Sequence, residues 1–94
     1  MINLIVKRKI KEGAIEKYKT YAEKSVTEIR KEAGCIRFEL CQSTEDPLQF
    51  AMFECWESKA HFDAHLETAH FKEFAALAGE VTVERTVEIF SVLK

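Results

Sequence analysis

The sequence predicts an α+β domain of the ferredoxin-like type. It has four antiparallel strands with its helical segments on one face, in the order β-α-β-β-α-β. Three observations carry that expectation. Apolar residues alternate with a period of two in four separate runs. Between the first and second runs, and between the third and fourth, the spacing changes to three and four. Residues that favour turns and caps fall at the junctions.

The first run, Ile2 to Ile10, places Ile2, Leu4, Val6 and Ile10 on one parity and Lys7 and Lys9 on the other. Glu12-Gly13 ends it. From Ala14 to Ala33 the apolar positions are Ile15, Tyr18, Ala22, Val26, Ile29 and Ala33, one face of a long helix, with Gly34 set to cap it in the left-handed conformation. Cys35 to Cys41 alternates again, with Ile36, Phe38 and Leu40 expected inward and Arg37 and Glu39 outward. Ser43 to Pro47 is turn chemistry, and Leu48 to Trp56 returns as the second arm of a hairpin. Ser58 and Thr68 are N-cap residues for two short helices, Lys59 to Leu66 and Ala69 to Ala78, the second expected to stop at Gly79. Val81 to Leu93 alternates once more as a long last strand.

The 94 residues fit a single domain, 1–94. A chain of this length buries only roughly 60–65% of its unfolded surface, so a partner subunit would help. Both faces of the predicted sheet carry apolar residues, and the face without helices is expected to pair with a second copy as a homodimer. Net charge is −2 and cations are interleaved with acids, which leaves no basic stripe for nucleic acid. No apolar run approaches the ~18 residues of a membrane span, and the start of the chain has no signal-peptide pattern, so a cytoplasmic location is expected. Cys35, Cys41 and Cys55 are odd in number and include no Cys-x-x-Cys pair; they read as small buried hydrophobes.

The residues most suggestive of chemistry lie between Glu54 and Phe71, where a strand-ending Trp56 is followed by His61, His65 and His70. Imidazole titrates near neutrality, so this concentration suggests proton transfer. His65, at the rim of the stripe defined by Phe62 and Leu66, is the candidate base. His70, in the first turn after Thr68, would be kept neutral by the helix dipole and could donate to an oxyanion. His61 is expected to be solvated. His61 and His65 are spaced for a metal that Glu54 or His70 could complete, but their helical directions diverge and no metal is expected. Trp56 could floor a pocket or fill core. Glu54 shares a parity with Phe50, Met52 and Trp56, so it needs a partner, such as Arg37 or Arg85 across a dimer, or else a raised pKa. Asn3, among β-branched residues, could orient a ligand through its amide.

The block Glu54-x-Trp56-Glu57-Ser58 with Ala64-His65-Leu66-x-Thr68-x-His70-Phe71, together with Gly34-Cys35 and Asp46-Pro47, resembles the antibiotic biosynthesis monooxygenase family, in particular its bacterial quinol monooxygenase members. The resemblance spans almost the whole chain. It implies a dimeric α+β barrel and a pocket between each sheet and its helices. It also implies an enzyme that needs no cofactor and oxidises a small aromatic or quinol-type substrate with molecular oxygen. His65, His70 and Trp56 would then be catalytic, and Asn3, Glu54, Phe62 and Phe71 would bind the substrate. The family usually has Pro where this chain has Ala69, and the imidazole of haem-degrading relatives is replaced by Phe74-Ala75-Ala76. Two other activities fit the same resemblance. One is isomerisation of a phosphorylated signal molecule, with Lys24, Arg30 or Lys72 on the phosphate; the other is ligand binding without turnover.

Overall fold

The computed structural model describes residues 1–94. Its elements are β1 (Ile2–Ile10), α1 (Ile15–Ile29), β2 (Cys35–Gln42), β3 (Gln49–Trp56), α2 (Lys59–Leu66), α3 (Ala69–Val81) and β4 (Thr82–Ser91). All strand pairs are antiparallel, in the order β2-β3-β1-β4. The ferredoxin-like arrangement expected from the alternating periods is the one observed.

Register decides which residues meet the helices. Ile2, Leu4, Val6 and Arg8 of β1 stand opposite Trp56, Glu54, Met52 and Phe50 of β3. On the other side Leu4, Val6 and Arg8 face Ile89, Val87 and Arg85 of β4. This face packs against Tyr18, Ala22, Val26 and Ile29 of α1 and Phe74, Ala78 and Val81 of α3, forming one core. Ala22 and Ala78 are fully buried, and as small residues they let the two helices approach closely. The same face of β4 is uncovered: Val87 and Ile89 remain substantially exposed, leaving one flank of the sheet–helix interface open.

Two helix ends and one strand register differ from the expectation. α1 stops at Ile29, and the chain makes a turn before reaching Gly34, whose φ of +82° supplies the left-handed residue. α3 continues through Gly79 to Val81, because Val81 packs into the core and the Thr82 hydroxyl donates to the Ala78 carbonyl at 2.6 Å. In β2 the register shifts between Cys35 and Arg37, which turns Ile36 outward, at 53% exposed, while Phe38 remains inside. The expected caps are present: Ser58 Oγ accepts from the His61 N–H and Thr68 Oγ1 from that of Phe71, both at 3.2 Å. In the hairpin turn Ser43 Oγ accepts from Glu45 and Asp46, and Asp46 Oδ1 from Leu48.

Gly34 is doubly constrained, since any Cβ there would also run into the His61 ring. Gly34→Ala is expected to cost at least about 1 kcal/mol from backbone strain alone, with the steric clash added, read as a lower urea midpoint. An unchanged midpoint would contradict this.

Candidate active site

His65 lies on α2, directed inward by the Ser58 cap that sets where the helix starts. Its ring is 2% exposed and sits among four aromatic side chains. Trp56 and Phe71 have centroids 4.8 Å away, and Phe38 and Phe62 are at 6.1 Å. Its one polar partner is Glu32, in the turn after α1, whose carboxylate oxygens lie 3.1 and 3.0 Å from Nδ1. A carboxylate only accepts, so Nδ1 carries the proton and Nε2 keeps the basic lone pair. Burial pulls the His65 pKa below its ordinary value and outweighs the attraction of Glu32, so the neutral imidazole is the resting form.

His70 approaches the same carboxylate from outside, with Nε2 2.7 Å from Glu32 Oε2. Its donor is therefore occupied, and it does not line the cleft beside His65. The structure places His70 behind Glu32 rather than on the wall of the cleft. The atoms of Glu32, His65 and His70 that could ligate a metal all lie within 4.8 Å of one another, so this trio, and not His61, is the set that could hold an ion. His61 is turned away, hydrogen-bonded to Ser58 Oγ at 2.7 Å.

Glu54 is on the helix side of β3, 6% exposed, and accepts from the Trp56 indole N–H at 3.0 Å. Burial pushes its carboxyl up to about 7; the Trp56 hydrogen bond and the Arg85 charge restrain the rise. Its close partner is thus a neighbour on its own strand. Arg85 acts at longer range, and Arg37 pairs instead with Glu39 at 2.7 Å. Trp56 is fully buried, so it backs His65 and holds Glu54 without offering a free ring face. Phe62 and Phe71 line the cleft together with His65 and Glu54. Asn3 does not. Being one residue from Leu4, it projects through the opposite face of the sheet, into a separate depression of about 210 Å³ with Arg37, Phe53, Cys55 and Phe90.

The cleft is narrow, about 40 Å³, room for little more than a water molecule. Arg8 and Arg85 line the cleft and Glu32 stands behind His65; of the three, only Arg85 figures in the sequence expectation, as a partner for Glu54. Arg8 shares the parity of Ile2, Leu4 and Val6, and Arg85 stands opposite it; both were legible as inward cations from the alternation. Glu32 follows the helix, outside any periodic pattern, so only the tertiary fold reveals it. Of the cysteines, Cys55 is buried, Cys35 is half-buried with its thiol pushed up by burial, and Cys41 is exposed.

An α+β sheet–helix domain with a buried carboxylate–imidazole pair in an aromatic cleft is the class these observations define. Residues 1–77 match the family model described as antibiotic biosynthesis monooxygenase, and the chain belongs to that family. Among solved structures, one from Nitrosomonas europaea, provisionally assigned as an antibiotic biosynthesis monooxygenase, is 27% identical and covers all of both chains with a TM-score of 0.95. A conserved protein from Methanosarcina mazei is 28% identical over 95% of this chain and 89% of its own, with a TM-score of 0.91. An uncharacterized protein of Synechocystis sp. is 35% identical over 77% of this chain, and the chain spans 46% of that relative's length. No helix is long and apolar enough to cross a membrane.

Proposed function

We propose that the chain is a cofactor-independent monooxygenase for a small phenolic or quinol-type aromatic. The observation carrying this reading is the Glu32–His65 pair: a neutral imidazole with Nδ1 committed to a carboxylate and Nε2 without a protein partner, walled by aromatic rings. Nε2 takes the phenolic proton, and the imidazolium that forms is paired at once with Glu32. The electron-rich anion gives one electron to O₂, and the two radicals combine at a ring carbon. Loss of water then leaves a quinone, with one oxygen atom in the product and the other in the water. Glu54, titrating near neutrality on the same wall, suits the proton delivery that water loss requires.

Oxygen uptake on mixing the protein with reduced menadione or a comparable phenol, coupled to quinone absorbance, tests the reading. Binding without oxygen uptake would reduce the protein to a ligand-binding module. The isomerase reading finds less support. Arg30 donates to the Phe38 carbonyl, Lys72 pairs with Glu67, and Lys24 stands apart from the His65 cleft.

The reading also includes a cytoplasmic homodimer. Three free thiols, one of them exposed, suit a reducing compartment. The sheet face away from the helices exposes Phe53 and Phe90 side by side with Ile5, a patch suited to a second copy. Phe53→Glu is expected to shift the sedimenting species from dimer to monomer; a wild-type protein that sediments as a monomer would contradict the pairing.

A further inference from the structure

Arg8 is the most anomalous side chain in the cleft. It is 6% exposed, on the inward parity of β1, and its neighbour across the ladder is a second guanidinium, Arg85. One of its nitrogens, Nη1, donates to Thr82 Oγ1 at 3.2 Å, and the guanidinium carbon lies 5.6 Å from the centroid of Phe74. Its Nε is buried with no hydrogen-bond partner at all. Neither arginine forms an ion pair: every salt bridge of the protein involves other residues.

The surroundings neutralise them only in part, through the attraction between Glu54 and Arg85. Tyr18, close to Arg8, is a buried phenol whose pKa is pushed up to about 12, so it stays uncharged. Glu54 is hydrogen-bonded to Trp56 and about half protonated near pH 7. A guanidinium does not shed its charge in a protein, so the burial of Arg8 without a partner is unfavourable unless an anion arrives, while Arg85 stays exposed on the open flank beside it. Two cations side by side present a fork-shaped donor set, which matches an oxyanion held by two or more hydrogen bonds. The arginines lie at one end of the cleft beside Phe74 and His65 at the other beside Trp56 and Phe71, with the Val6–Met52 and Leu4–Glu54 rows of the sheet between them.

We propose that this end is an oxyanion subsite, and that the ligand is an aromatic compound bearing an ionised carboxylate or phosphate that Arg8 and Arg85 bind together. This deepens the monooxygenase reading by naming the charge its substrate carries. The reacting phenol would be placed toward His65 because the charged group is anchored at the far end.

The test is binding in an oxyanion-free buffer, followed by Trp56 fluorescence or calorimetry, with benzoate, phenyl phosphate and neutral benzamide as probes. Wild-type protein is expected to bind at least one of the two anions tenfold or more tightly than benzamide, and the tighter anion identifies the oxyanion. In Arg8→Gln and Arg85→Gln that preference should fall to within about twofold, with benzamide binding unchanged. Thermal unfolding gives a second readout that needs no binding signal: the preferred anion should raise the midpoint of wild type and not of Arg8→Gln. Equal binding of anions and benzamide, a preference that survives both substitutions, or no binding of either anion at millimolar concentration would overturn the proposal. Turnover does not enter this test. An intact anion preference without oxygen uptake refutes the oxygenase reading alone, and oxygen uptake without anion preference refutes the subsite alone.

Discussion

Removing the imidazole in His65→Ala is expected to lower kcat/KM for a phenolic or quinol substrate by about 10²–10⁴-fold, the usual worth of one positioned base. The loss should persist in His65→Gln, which refills part of the buried space between Trp56, Phe62 and Phe71 but offers no basic nitrogen. That second variant separates lost chemistry from lost packing, since a ring walled by four aromatic groups also contributes to the core. Oxygen-electrode rates and urea unfolding on both variants provide the check. Turnover within a few-fold of wild type in either one removes His65 from the mechanism.

Replacing Glu54 by glutamine is expected to stabilise the fold above neutral pH. The carboxyl titrates at about 7 in the folded chain, against an ordinary value of 4.5, because burial penalises its charge. A raised carboxyl pKa means that the folded state binds the proton more tightly than the unfolded one. Stability is therefore highest below about pH 4.5, falls as pH rises from there, and has lost its full increment above about pH 7. At roughly 1.4 kcal/mol per pH unit, the loss across this window approaches about 3 kcal/mol. Glu54→Gln keeps an oxygen to accept the Trp56 N–H and has no charge to bury, so the fall due to Glu54 should be absent over the same range. Urea unfolding of both proteins at pH 5 and pH 8 distinguishes the cases; parallel pH dependences would show that Glu54 is not the group responsible.

A carboxyl of this kind would be an expensive choice for a structural position, and a useful one for proton transfer near neutrality. The same holds for Arg8. Both interrupt an otherwise apolar face that hydrophobic packing alone would fill with aliphatic side chains, and both lie along the cleft that ends at His65. The region of the fold that breaks local rules most often coincides with the site.

Much of the architecture is legible in the chain because it rests on short-range physics. Alternation in β1 and β3, the Tyr18-Ala22-Val26-Ile29 stripe of α1, and the Ser58 and Thr68 caps each depend on a few neighbouring residues, and each appears where the spacing places it. The errors arise where a tertiary contact overrides a local preference. Gly79 does not stop α3, because Val81 gains more by packing than the glycine loses in backbone entropy. Ile36 does not point inward, because the chain leaving Gly34 enters β2 through a register shift.

The site was legible only in part, for the same reason. His65, Phe62, Phe71 and Glu54 come together because they lie on the buried faces of α2, α3 and β3, which periodicity identifies. Asn3 follows the opposite rule: its parity places it with Ile5 on the other side of the sheet, and strand alternation already excluded it from a cleft lined by Val6. Glu32 could not be inferred, since it reaches His65 across 33 residues of sequence from a turn with no repeating pattern. The placement of His70 depends on that same residue, whose carboxylate meets its Nε2.

The Glu32–His65 arrangement can be examined directly by nitrogen-15 NMR of the imidazole side chains across a pH series. At pH 7 His65 should be neutral, with its proton on Nδ1 and Nε2 in the unprotonated form, and should titrate below the ordinary histidine value. An imidazolium at pH 7, or a proton found on Nε2, would contradict the base assignment and with it the proposed reaction.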